Sequence, residues 1–336
     1  VRAHFASTIL VASALLTQAC AFMTNDFGPK RLAAADADAV PERASCPTRW
    51  LEHTHPQVRD EGLGDLVFAE HGIDLGDAAD GGENAARIGV DLAATRPPCT
   101  NPTSGTIMNV EPGAGSNAFG RASYAWGLQG TPASTFINQT ANAGVLALLF
   151  RLVGYNGQPD DDDVELDMTH GSASAPTWQG EDVWSPAEAY TQHGADGYRA
   201  KAAARTRVSG GQIEVELATV PGTPAVSNAR LRATIAQRGA RWHLSGVLTG
   251  VVRSRELLGF AGMLGLCMGT PMYASYKQAY CANADAVLDA GGVCDALSVA
   301  WRFEADSARL GCIRPVEPSV ALCIPAEDPS SDQCGP

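Results

Sequence analysis

The densest run of chemically useful side chains lies between positions 170 and 198: His170, Trp178, Glu181, Asp182, Trp184, Glu188, Tyr190, His193 and Tyr198. Flat aromatic rings beside carboxylates can stack on a sugar ring and hydrogen-bond its hydroxyls. The same residue types build glycosidases, where two carboxyl groups ~5–10 Å apart flank the bond to be cut. Trp178, Trp184, Glu181, Asp182 and Tyr190 are therefore the candidate binding residues. The acids of 181–188 are the candidate catalytic groups of a glycoside-directed hydrolase. The competing reading is that Trp178 and Trp184 plug a core, the commoner use of a large aromatic.

Other constellations are thinner. His53 and His55, two apart on an extended segment, share a face and could begin a metal site with Asp60; a polar turn ending at Pro56 is the plainer account. Asp160, Asp161, Asp162 and Asp163 form an oxygen-rich loop of the kind that can take calcium, although neither they nor Asp74, Asp77 and Asp80 have EF-hand spacing. The plainer account there is a solvated turn that discourages edge pairing. Gly113 to Ala118 fits the G-x-G-x-x-A form of a dinucleotide loop, but no amphipathic helix is expected after it, so it reads as a surface loop. The chain contains no G-x-S-x-G, no H-E-x-x-H and no Walker loop. No metal site is assigned.

The elements that must carry these residues read as β. Val145 to Val153 is a nearly continuous apolar run, as in a strand buried on both faces. Asn156-Gly157 is a hairpin turn signal, because both residues tolerate positive φ. Val164, Leu166 and Met168 alternate with acids; so do Ile213, Val215 and Leu217. Leu231, Ala233 and Ile235 alternate with Arg230, Arg232 and Thr234, then Gln237-Arg238-Gly239 turns the chain toward Trp242 and Leu244. Leu297, Val299, Trp301 and Phe303 share one face. Between the last two blocks the period lengthens. Glu256 to Leu266 suits a helix, and Thr270-Pro271 reads as an N-cap followed by Pro at the first helical position. The expected fold is mainly β: a β-sandwich at 46–324 with a small disulfide-braced helical insert at 254–290, and a tail at 325–336.

Composition and the N-terminus bear on location. A chain of 336 residues that is 45% hydrophobic and 18% charged is not disordered. A net charge of −13 argues against nucleic acid as a partner. Three lysines against twenty-one arginines, with many alanines, suggest a GC-rich genome, and Val1 fits a GTG start, so the chain reads as a precursor. A short polar start with Arg2 and His4 precedes an uncharged apolar run from Phe5 to Leu16 that is too short to span a bilayer. Small residues and Cys20 follow. Residues 20–45, rich in Ala and Asp, read as a tether. Eight cysteines besides Cys20 allow four disulfides in an oxidising compartment, with Cys281–Cys294 and Cys46–Cys99 as the expected pairs.

Residues 1–19 followed by Cys20 resemble a bacterial lipoprotein signal, which implies cleavage before Cys20 and lipid attachment to it. Cleavage after Ala21, at Ala19-Cys20-Ala21, is the alternative. With Ala21 after the Cys, the lipoprotein resemblance implies the outer membrane or cell surface. Gly72-Ile73-Asp74-Leu75, Ser116 to Gly120, the acidic hairpin before Val164, Trp178 to Trp184 and Cys294 to Ser298 are together similar to a loose group of bacterial cell-surface lipoproteins without established activity. The resulting expectation is a lipid-anchored, non-enzymatic protein that binds a glycan or a surface protein; the secreted hydrolase is its rival.

Overall fold

The chain divides into two compact units, Val1–Ser45 and Cys46–Pro336. The computed structural model describes residues 65–77, 88–89, 99–108, 116–126, 132–194, 197–222, 224–289, 292–314 and 322–335, all in the second unit. Its strands are β1 (Leu66–Asp74), β2 (Cys99–Thr100), β3 (Ile107–Met108), β4 (Ala147–Val153), β5 (Asp161–Ala173), β6 (Val183–Pro186), β7 (Thr191–Gly194), β8 (Gly197–Ala200), β9 (Ala202–Ser209), β10 (Gln212–Val220), β11 (Val226–Arg238), β12 (Arg241–Arg253) and β13 (Ala296–Leu310). Its helices are α1 (Ala118–Trp126), α2 (Ala133–Asn142), α3 (Ser254–Met263) and α4 (Pro271–Ala282).

The fold is mainly β, but it is a barrel and not a sandwich. Eight antiparallel strands pair in the ring β1-β4-β5-β9-β10-β11-β12-β13, and β13 pairs back onto β1 with Val67 opposite Ala308. Alternating strands suit either architecture, since both have one inner and one outer face. What separates them is the long-range pairing of β1 with β13 and of β5 with β9, which no local pattern encodes. Two glycines help β12 coil around the ring: a Cβ on Gly246 would collide with the Arg232 carbonyl, and one on Gly250 with the Val226 side chain.

The barrel interior is a packed core and not a channel. Phe68, Phe150, Leu166, Met168, Ile213, Leu231, Leu248 and Phe303 fill it, with Phe150 and Phe303 stacked at 4.8 Å. At one end Tyr155 and Trp242 meet edge to face, just before the Asn156-Gly157 turn where Gly157 takes φ +78. Helices α3 and α4 belong to the same core through Leu257, Leu258, Tyr273, Tyr276 and Tyr280. Thr270 caps α4 by accepting the Tyr273 N–H, and Pro271 occupies its first turn.

Helices α1 and α2 overturn the expectation that no helix follows the Gly113–Ala118 segment. Asn117 explains α1. Its Oδ1 accepts the Gly120 N–H at the helix start, and its amide donates to the carbonyls of Leu75 and Ala300, both at 2.9 Å. Ala118 and Ala122 then pack flat against the core. Phe119 and Trp126 pack against the same core, but the helix is short and opens directly after a Pro- and Gly-rich stretch, so the sequence signal for it is weak.

Three described disulfides differ from the expected pairs: Cys99–Cys294, Cys267–Cys323 and Cys281–Cys334; Cys312 is also disulfide-bonded. Closeness in sequence misled the assignment of Cys281 to Cys294, and Cys99 bonds Cys294 instead of Cys46. The chain zips 99–100 against 292–294, with the Thr100 N–H donating to Gly292 and the Cys294 N–H to Thr100, which leaves the Cys99 and Cys294 Cα atoms 5.1 Å apart. Cys281 and Cys267 instead staple the C-terminal segment to the helices, where Asp332 accepts from the Tyr273 hydroxyl and the Lys277 ammonium. Among the described residues no helix is long and apolar enough to cross a membrane.

Candidate functional site

The two candidate tryptophans have different fates. β6 runs antiparallel to the end of β5 and parallel to the end of β13, so Trp184 lies beside Ala173 and Leu310. Its ring is fully buried in a second core on the outer wall, formed with Ala69, Ala147, Leu149 and Ala173. Trp178 is half-buried. Its ring lies 5.4 Å from that of Trp184 and 4.8 Å from that of His71. Trp178 holds φ +58 and Ala175 φ +47, two of only three non-glycine residues with positive φ among those described. That conformation costs an L-residue ~1–2 kcal/mol, so the loop must be held by other contacts.

Asp182 supplies them. Its carboxylate accepts the Thr177 N–H, the Thr177 hydroxyl and the Trp178 N–H at 2.7–2.9 Å. Gln179 accepts from Arg241 at 2.6 Å. Glu181 is exposed and pairs with Arg309. Glu188, also exposed, begins the short 3-10 turn Glu188–Tyr190. The three acids thus have separate duties. Tyr190 is half-buried, with its ring 4.8 Å from that of His170; burial pushes the His170 imidazole down to about 4. His193 and Tyr198 face each other across the β7–β8 ladder.

Beside Trp178 the barrel brings together four residues that the sequence leaves unremarked. Registers place His71 opposite Glu304 and His243 opposite Asp306, all at outward positions of β1, β12 and β13. The two oxygens of Asp306 serve two imidazoles: Oδ2 is 3.1 Å from His71 Nε2, and Oδ1 is 2.9 Å from His243 Nδ1. With Nδ1–H donated to Asp306, His243 Nε2 carries a lone pair. That nitrogen is buried without a hydrogen-bond partner. Glu304 Oε2 is 3.6 Å away, beyond hydrogen-bond reach, on a side chain that is 56% exposed. A cavity of about 420 Å³ opens here, lined by Arg238, Ala240, Arg241, Trp242, His243 and Asp306.

This arrangement suits recognition better than metal chemistry. His243 meets its two acids with opposite ring nitrogens, so the four residues cannot converge on one cation. Among the described residues no group of three or more His, Cys, Asp or Glu is placed to hold a metal ion. The cavity offers two guanidinium groups and a bare imidazole nitrogen, and the loop that carries Trp178 reaches it through the Gln179–Arg241 hydrogen bond.

A second polar cluster sits elsewhere on the outer wall. Arg151 of β4 donates to Asp65 at 2.8 Å and contacts Asp167 of β5 at 3.4 Å. Asp167 and Glu165 are buried, and Asp65 Oδ1, Asp167 Oδ1 and Glu165 Oε2 have no partner. Burial pushes the Asp167 carboxyl up to about 7, with the Arg151 charge opposing the shift. Inside the barrel, burial raises Glu70 to about 7 although the Trp301 indole donates to it at 2.8 Å.

Most of the remaining candidates make contacts within the fold. Asp160 accepts from Gly210, Asp161 from Asn156 and Asp163, and Asp163 pairs with Arg205; Asp162 is exposed. Asp74 caps Gly76, and Asp77 accepts the N–H and hydroxyl of Ser134 at the start of α2. Ser116 and Ser298 hydrogen-bond the buried Asp285. Cys20, Cys46, His53, His55, Asp60 and Asp80 lie outside the described residues. His71, His243 and Asp306 were missed because each is an ordinary outward residue of its own strand. No family model, curated protein or solved structure matches the chain.

Proposed function

We propose that this chain is an exported, lipid-anchored surface protein that binds a glycan at the cavity beside His243, with Trp178 as its stacking platform, and does not turn its ligand over. The observation that carries this reading is Trp178 itself. A bulky aromatic is held half-exposed at φ +58 by a loop tied down through Asp182, beside a polar cavity. Strain of this kind is retained where the surroundings over-determine it, commonly at ligand sites. The disulfides agree with an oxidising compartment. Cys20 and the apolar run before it supply the export and anchor part of the proposal. The separate engagement of Glu181, Asp182 and Glu188 favours binding over glycoside hydrolysis, which needs two facing carboxyls.

Glycan-array capture by the purified protein, compared with Trp178→Ala and Trp184→Ala, tests the reading. Trp178→Ala should abolish capture with a smaller loss of stability, since its ring is only partly packed against the second core. Trp184→Ala should lower stability by ~3–5 kcal/mol, as for other buried aromatics. Turnover of a glycan, or capture unaffected by Trp178→Ala, would sink the proposal. The anchor is tested separately: Cys20→Ser should move the protein from the membrane to the soluble fraction, and a wild-type mature form beginning at Phe22 would exclude lipidation.

A further inference from the structure

The geometry points to an acidic sugar, one carrying a carboxylate or sulfate, as the ligand of this cavity. The inference rests on the glycan reading and specifies its charge. Its main observation is a cross-strand pair. Arg238 ends β11 and Arg241 begins β12, directly opposite one another across the two-residue turn Gly239-Ala240. Like charges in directly opposed positions destabilise a hairpin. Neighbouring positions on the same wall avoid this, since Arg230 and Arg232 are matched by Glu214 and Glu216. Among the described residues Arg238 has no ion-pair partner, and Arg241 has only the neutral amide of Gln179. Both arginines line the cavity.

The acid in the lining, Asp306, spends both oxygens on His71 and His243 and forms no ion pair with either arginine. An acidic protein, with net charge −13, thus presents two arginines without ion-pair partners among the described residues at a cavity next to the loop that carries Trp178. Guanidinium forks match planar or tetrahedral anions with paired N–H donors. His243 Nε2, buried and unpartnered, adds an acceptor for a sugar hydroxyl. A volume of about 420 Å³ lies within the ~300–1,000 Å³ range of small-ligand sites. Anion, ring face and hydroxyl each have a counterpart.

Calorimetric titration of the full mature chain with three probes tests this: an oligogalacturonate, its methyl ester and a neutral-backbone sulfated galactan. The oligogalacturonate or the sulfated galactan should bind at least about tenfold more tightly than the ester, as charge-assisted pairing requires, and which of the two wins identifies the anion. Arg238→Gln, which removes no ion pair or side-chain hydrogen bond among the described residues, should reduce that preference toward unity without lowering the melting temperature; Arg241→Gln should reduce it too, with a small loss of stability from the missing Gln179 hydrogen bond. Trp178→Ala should weaken every probe. Binding in which neither anionic probe exceeds the ester, unchanged in both arginine variants, would overturn the inference and leave the glycan reading standing. Binding of the anions that ignores Trp178→Ala would mean charge attraction alone and would remove both, as would the absence of binding by all three probes.

Discussion

The outer wall of the barrel carries two clusters of buried polar groups, and they are built on opposite terms. Around Asp306 each carboxylate oxygen has its own imidazole, at 3.1 and 2.9 Å, and the orphan atom is a neutral-capable ring nitrogen next to a cavity. Around Arg151 one guanidinium faces Asp65 and Asp167, with Glu165 close by, and three carboxylate oxygens are left buried without partners. An unmade hydrogen bond at a buried charge is costly, whereas a fully satisfied network is nearly free. The first cluster is thus free to serve a ligand, while the second is a store of unfavourable charge held in place by the strands around it.

The sharpest way to break this contrast is Arg151→Met. Removing the cation of the second cluster strands Asp65 and Asp167, and stability measured in urea should fall by ~3–5 kcal/mol. A loss below ~1 kcal/mol would show that the acids are neutral or solvated already.

Next in size is a pH effect. Asp167 and Glu70 both have carboxyls raised to about 7 in the folded chain. Each binds its proton more tightly folded than unfolded, so its contribution is favourable at low pH and is lost as pH rises from about 4 toward 7. His170, lowered to about 4, acts in the opposite sense: it favours the fold above its unfolded value of ~6.5 and costs stability as pH falls. Two acids against one base leave a net decline in stability as pH rises between about 4.5 and 6.5. Asp167→Asn should flatten that slope, because Glu70 and His170 then offset each other. A slope unchanged in this variant would mean that Asp167 keeps its ordinary carboxylate behaviour.

Asp306→Asn should cost ~1–3 kcal/mol, the usual loss when charge-assisted hydrogen bonds are weakened on both sides, together with ligand capture. Glu165→Gln should have the smallest effect, within ~1 kcal/mol and toward greater stability, since it neutralises a buried oxygen that has no partner. A clear destabilisation by Glu165→Gln would erase the distinction between the clusters.

Much of the fold was legible wherever the signal was local. The buried run around Leu149, the alternation of β10 and β11, the Asn156-Gly157 turn and the Thr270-Pro271 cap all follow from neighbours a few positions apart. Closure of the ring did not, because nothing near Val67 announces Ala308. The disulfides failed for the same reason: spacing along the chain says little about pairing when Cys99 meets Cys294 across 195 positions. Helix α1 was hidden by its shortness and by the Pro- and Gly-rich stretch before it. At the site, Trp178 was found through its aromatic, acid-rich neighbourhood, whereas the histidines and Asp306 acquire meaning only when three strands lie side by side. Trp184, chosen by the same criterion as Trp178, is fully buried.

His71 and Asp306 are 235 positions apart and face each other across the seam where β13 meets β1. During synthesis, which runs from the N-terminus, β1 has one of its two neighbours missing until almost the whole chain has been made. Folds whose decisive contacts are so distant in sequence form slowly, and unpaired strand edges attract other chains in the interval. The His71–Asp306 half of the clamp can form only after the ring closes, whereas His243 meets Asp306 as soon as β13 pairs with β12, so an isotope-labelled His71 would act as a timer, reporting by its chemical shift the moment at which the seam closes.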